Sequence, residues 1–212
     1  MARHAHRRAV PDAGELVRRD DTLGAQTLAA IGALRALGGT RRADLWEAAI
    51  PSPGPLFAIA EAAPAPTPAG PLREMSADER LAADFAGTSV TLGPHPMALR
   101  RRALAEAGIL RACDLRRHPD GARVRVAGSV IVRQRPGTAK GMCFLTLEDE
   151  TGTANAFVTP PLYQRWRLVL NTSPLLEVEG PLERVDGVTH VRALRFRRLE
   201  APSGMPDGHN YW

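Results

Sequence analysis

The chain has 212 residues, 44% of them hydrophobic, enough for one ordinary core and a smaller satellite but short for a multidomain enzyme. Its net charge of +5 points to an anionic partner, yet Lys140 is its only lysine and arginine carries the rest, so clustering says more than the total. Cys113 and Cys143 lack the paired spacing of a zinc site or disulfide framework, no apolar run reaches membrane-spanning length, and the basic start "MARHAHRRAV" leads into "PDAGELVRRDD" rather than an apolar signal core. The expectation is a cytoplasmic protein with reduced thiols and no membrane partner.

Residues 1–50 read as a helical segment. "TLGAQTLAAIGALRALGG" sets Leu28, Ile31 and Leu34 on one face and stops at Gly38 and Gly39, and Thr40 caps a second helix that is expected to bury Leu45 and Trp46. Residues 51–75 form a Pro/Ala-rich linker, too rich in proline for a helix or a central strand. Residues 76–118 read as a helical connector. It opens on a capping box, Ser76 with Glu79, turns Leu81 and Phe85 inward, and restarts at Pro96 to end at Gly108.

From Pro119 the apolar period changes to two, and residues 119–200 read as five strands with one helix, followed by a flexible tail at 201–212. In "RVRVAGSVIVRQR" the even positions from 124 to 132 are valine or glycine and the odd positions carry Arg123, Arg125, Arg133 and Arg135, which predicts one buried face and one cationic face nearly free of acids. "GMCFLTLEDE" turns Cys143, Leu145 and Leu147 inward and Phe144 and Thr146 outward; "TANAFVT" turns Ala154, Ala156 and Val158 inward and Asn155 and Phe157 outward; an Asp-Glu-Thr-Gly turn joins them as a hairpin. "PPLYQRWRLVL" is a helix with Leu162, Trp166, Val169 and Leu170 on one stripe, and a second hairpin turns at Asp186-Gly187. Three strands, a helix and two strands is the order of the OB-fold, a five-stranded Greek-key barrel, here behind a small α-helical region and so α+β overall.

These residues resemble a known family. "VRVAGSVIVRQRPGTAKGMCFLTLEDETGTANAFVTPPLYQRWR" and "LLEVEGPLERVDGVTHVRALRFRRL" are similar to the carboxy-terminal OB domain of bacterial error-prone DNA polymerases, paralogues of the replicative polymerase III alpha subunit. "ADFAGTSVTLGPHPMALRR" resembles the connector before that domain, and "LAAIGALRALGGTRRADLWEA" the end of its helix-hairpin-helix region. The resemblance implies a role in lesion-tolerant DNA synthesis and DNA repair. It also implies that the metal-binding palm carboxylates would precede residue 1, so the expectation is no catalytic residue, no cofactor, no metal ligand and no polymerase activity from this chain by itself.

OB-folds that bind single strands combine a basic groove with aromatic platforms, because every base has a π-face and every nucleotide a phosphate. That chemistry selects Arg123, Arg125, Arg133, Arg135 and Lys140 for the backbone of single-stranded DNA and outward Phe144 and Phe157 for its bases. In the linker, "GPLFA" sets Leu56 beside Phe57, similar to the Leu-Phe end of sliding-clamp-binding peptides but without their leading glutamine. Two other readings stay open. One is a protein-interaction module that recruits the clamp or other damage-tolerance factors, and the other is an anticodon-type OB module that binds tRNA.

Overall fold

The computed structural model describes residues 22–37, 39–50, 72–185 and 187–211. Two compact units make up the chain, Met1–Thr88 and Ser89–Trp212. The stretch 76–118 is thereby divided, its first helix falling in the first unit and its second in the other.

In the first unit, helices α1 (Thr22–Ala30), α2 (Arg41–Ala49) and α3 (Ala77–Thr88) follow the expected caps. Thr40 Oγ1 accepts from the Ala43 N–H at 3.3 Å, and Ser76 and Glu79 cap reciprocally, Ser76 N–H to Glu79 Oε2 at 2.7 Å and Glu79 N–H to Ser76 Oγ at 3.1 Å. The Ser76 N–H, with Arg42 and Arg73 nearby, holds the Glu79 carboxyl below its usual range. Leu81 and Phe85 are buried as expected. Trp46 is not: it is 59% exposed, and α2 instead buries Asp44 and Ala48, four residues apart on the opposite side of the helix. The small Ala48 packs with Ala25, Ala29 and Leu34, so the helices approach too closely to admit an indole between them. Arg41 ties the three helices together, its Nη1 donating to Asp84 Oδ1 at 2.6 Å and to the Ala30 carbonyl at 3.2 Å.

The second unit is built on strands β1 (Arg123–Gln134), β2 (Cys143–Asp149), β3 (Gly152–Val158), β4 (Leu175–Val185) and β5 (Val188–Arg192), with helix α5 (Pro160–Thr172) between β3 and β4. β1 pairs antiparallel with β4 through Arg123–Ser129 and with β2 through Ser129–Gln134. β2 pairs with β3, β3 runs parallel to β5, and β5 pairs with β4, which closes a ring. β6 (Arg195–Arg198) extends the pairing along β4. The segment 201–212, which the sequence leaves as a tail, instead supplies β7 (His209–Tyr211), parallel to Val132–Gln134.

Inward side chains are those the alternation predicts: Val124, Val126 and Val130 from β1, Leu145 and Leu147 from β2, Ala154, Ala156 and Val158 from β3. α5 closes one end with Tyr163 and Leu170, and Trp166 sets its ring edge-on to Phe196 at 5.8 Å. Helix α4 (Pro96–Glu106) lies on the outside of β1, where Met97, Leu104 and Ile109 bury Ala127 and Leu175.

Gly128 sits where β1 passes from one neighbour to the other, and a methyl group there would lie 2.6 Å from the Glu148 carbonyl oxygen. Gly128→Ala is therefore expected to destabilise the unit by about 1–3 kcal/mol in urea unfolding, the range for overpacked sites. Gly137→Ala, with nothing within 4 Å of the new methyl, is the control and should leave the midpoint unchanged.

Candidate nucleic-acid interface

The outer face of the β2–β3 hairpin is set by register. Phe144 opposes Phe157, Thr146 opposes Asn155 and Glu148 opposes Thr153, all on the side away from the core. Both phenylalanines are partly exposed, as the alternation predicts. Thr146 Oγ1 donates to Asn155 Oδ1 at 3.2 Å. β5 widens the face, because its parallel pairing with β3 brings His190 beside Asn155 and Arg192 beside Phe157. The His190 ring meets Phe157 edge-on at 6.5 Å, and Arg192 Nε holds Glu183 Oε1 at 2.6 Å. Lys140 is exposed in the β1–β2 loop, in the left-handed region at φ +50°.

The four arginines selected from β1 and the residue that follows it do not form the expected open cationic face. Arg123 lies 2.7 Å from Glu179 and Arg125 3.6 Å from Glu177, carboxylates carried by the neighbouring strand β4. The acids missing from β1 are supplied across the sheet, and Arg197 from β6 joins Glu177 on its other side. Further along, the register between β1 and β2 skips Ile131. This bulge inserts one residue and exchanges the two faces. Arg133 is consequently inside and only 1% exposed, its Nε donating to the Leu170 carbonyl at 2.7 Å and its Nη2 to the Ser173 carbonyl at 2.8 Å. It caps the carbonyl end of α5, where a helix carries partial negative charge. Arg135 follows it to that side, and its guanidinium stacks 4.2 Å above the Tyr163 ring. Burial pushes the neighbouring Cys143 thiol up to about 11.

The acidic run Glu148–Asp149–Glu150 serves the fold. Glu148 faces out and Asp149 in, and Asp149 Oδ2 accepts from the Ala112 N–H at 2.8 Å while its Oδ1 accepts from the Thr151 N–H and hydroxyl. Arg101 of α4 grips Glu150 through both Nε and Nη2 and reaches Asp149 at 3.3 Å, which fastens the helix to the hairpin turn. His95 caps α4 by accepting the Met97 N–H on Nδ1 at 3.2 Å, and burial lowers its affinity for a proton. Among the described residues, no cluster of three or more His, Cys, Asp or Glu is placed to hold a metal ion.

Of the residues chosen from sequence, the structure brings together Phe144 and Phe157, with Lys140 in the adjoining loop. Leu56 and Phe57 lie outside the described residues. Thr146 and Asn155 were legible as outward positions, whereas His190 and Arg192 joined the face only through the parallel β3–β5 pairing, which alternation does not reveal.

A closed ring of five strands, with a helix between the third and fourth and a mixed polar and aromatic face on the second and third, is an OB-fold. No protein-family model matches the chain. It is 49% identical over 170 residues to an error-prone DNA polymerase of Azoarcus sp. (strain BH72), covering 80% of this chain and 16% of the relative. To the error-prone DNA polymerase of Bordetella parapertussis it is 40% identical over 201 residues, 94% of this chain and 19% of the relative. The chain thus matches a segment of error-prone DNA polymerases, as its sequence resemblance implied, and spans less than a fifth of the length of these curated relatives. Among solved structures, asparaginyl-tRNA synthetase from Pyrococcus horikoshii is similar at 24% identity and a TM-score of 0.37, over 44% of this chain and 23% of that one. A putative aspartyl-tRNA synthetase from Leishmania major Friedlin is similar at 12% identity and a TM-score of 0.35, over 42% and 20%.

Arg133→Gln is expected to cost about 3 kcal/mol in urea unfolding, because it withdraws charged donors from two buried carbonyls. It should leave the salt dependence of DNA binding unchanged. Unaltered stability with a flatter salt dependence would return Arg133 to the set of DNA-facing residues.

Proposed function

We propose that the Ser89–Trp212 unit binds single-stranded DNA across the outer face of β2, β3 and β5, as a module of an error-prone DNA polymerase acting in lesion-tolerant replication and repair. The observation that carries the reading is the Phe144–Phe157 pair, two partly exposed aromatic rings directly opposed on adjacent strands. Aromatic side chains on an OB face offer a platform to any unpaired base, and a duplex would hide the base faces that such a platform needs. Lys140, exposed in the loop that leads into β2, supplies positive charge for the backbone, whereas Arg192 beside Phe157 is already paired with Glu183. Similarity to DNA polymerases favours DNA over tRNA as the strand. A sequence-tolerant grip on unpaired template suits synthesis past a damaged base, because stacking does not require the base to be intact.

Fluorescence anisotropy with a short oligothymidylate tests this. Phe144→Ala and Phe157→Ala should each weaken binding by about 1–3 kcal/mol with an unchanged log-log salt slope, since stacking releases no counterions. Lys140→Ala should make the slope shallower by about 0.7, the single-strand value per phosphate contact. Arg123→Ala and Arg125→Ala, whose guanidinium groups already face glutamates, should change it little. Wild-type affinity in both phenylalanine variants would remove the aromatic face as the binding surface.

A further inference from the structure

The face that carries Phe144 and Phe157 continues onto β1 and β7. Gln134 of β1 opposes Phe144 on one side and Tyr211 of β7 on the other. Residues paired across a sheet point to the same face. Gln134 is exposed, whereas its neighbour Arg133 opposes the buried Leu145 and is itself buried, so the face that Gln134 shares is the one away from the core. Tyr211, Gln134, Phe144 and Phe157 therefore form one row over four strands. Two strand spacings, about 10 Å, separate Tyr211 from Phe144. The Tyr211 side chain is open to solvent, with the residue 57% exposed.

The backbone fixes where that ring stands. A methyl group on Gly208 would overlap the Val130 carbonyl oxygen, so glycine is what brings the segment this close to β1. At Tyr211 the carbonyl accepts the Arg135 N–H at 2.9 Å. His209, two residues earlier on β7, points to the same face, its ring 6.4 Å from the Tyr211 ring and tilted by 36°.

The order of the row decides what it can hold. A ring, an exposed amide and two further rings offer a platform, then hydrogen-bond donors and an acceptor, then a platform again. An apolar partner would bury the Gln134 amide without a hydrogen bond, at a cost. A bare anion has no use for three rings. Successive unpaired bases match the row, since each has a π-face for a ring and a polar edge for the amide. The loop carrying Lys140 leaves β1 just beyond Gln134 and enters β2 just before Phe144, which sets an exposed cation at the margin of the row for the backbone.

We infer that β7 belongs to the nucleic-acid face, and that Tyr211 stacks a further base of the strand held by Phe144 and Phe157 while Gln134 meets a base edge between them. This rests on the proposal that the β2–β3 face binds single-stranded DNA, and it lengthens that face by β1 and β7.

Anisotropy of the full chain with an oligothymidylate of ~12 residues, inside the range of single OB sites, tests the inference. Tyr211→Ala is expected to weaken binding about fivefold or more, the low end of the cost of one lost base–aromatic stack, with the salt slope unchanged, and Tyr211→Phe should keep wild-type affinity. Retained hydrogen-exchange protection of the Arg135 amide shows that β7 still pairs with β1 in the Ala variant. Gly208→Val, which pushes the segment off β1 but leaves the ring in the chain, should cost as much as Tyr211→Ala, and the double variant no more than either. Wild-type affinity in Tyr211→Ala beside a loss in Phe144→Ala would overturn the inference and leave the β2–β3 face standing. An equal loss in Tyr211→Phe and Tyr211→Ala would also overturn it, because the ring would then not be the contact. Wild-type affinity in Tyr211→Ala, Phe144→Ala and Phe157→Ala alike would remove the inference together with the proposal on which it rests.

Discussion

The barrel depends on one close approach of backbone to backbone, where β1 at Gly128 passes against Glu148 of β2. A single strand serves two neighbours there, β4 before this point and β2 after it. Any side chain would hold the strands apart and open the ring. Three residues later the insertion at Ile131 turns the strand, so that Arg133 enters the barrel end and meets the carbonyls of α5. Closure of the ring, seating of the bridging helix and orientation of the β2–β3 face thus follow from one short run, Gly128 to Arg133.

Charge in this protein is mostly spent on itself. The β1 arginines face Glu177 and Glu179, Arg101 clasps the hairpin turn, and Arg41 joins three helices. Of these, the exposed Arg123–Glu179 pair contributes little stability by itself. The larger effect of these pairs is to lower the free positive potential of the sheet, in which Arg192 beside Phe157 is likewise paired, with Glu183. A protein with a net charge of +5 can therefore be locally selective for an anion, which the total alone would not reveal.

Much of the fold was legible in the sequence because the alternation of small apolar residues in β2 and β3 has one solution, and Phe144 and Phe157 could be placed outward from it. The capping box at Ser76 and the Asp-Glu-Thr-Gly turn were legible for the same local reason. The errors came from information that is not local. Arg133 reads as outward unless the inserted residue at Ile131 is known, and a bulge leaves no mark in an alternating pattern whose neighbours are all valine. Glu177 and Glu179 lie some fifty positions beyond the arginines that they neutralise. Trp46 was expected inward, whereas the helix contact selected Ala48. The parallel β3–β5 pairing, which adds His190 and Arg192 to the face, is likewise a property of the closed ring.

That parallel pairing also has a kinetic meaning. A hairpin such as β2–β3 joins residues a few positions apart, while the contact of Asn155 with His190 must span the whole of α5 and β4. Loops of that length close slowly, and proteins governed by distant pairings fold more slowly than those governed by local ones. The two phenylalanines are set opposite each other by that local hairpin alone. His190 and Arg192 come from β5, the strand whose pairing with β3 shuts the ring, so the face is complete only when the barrel is closed.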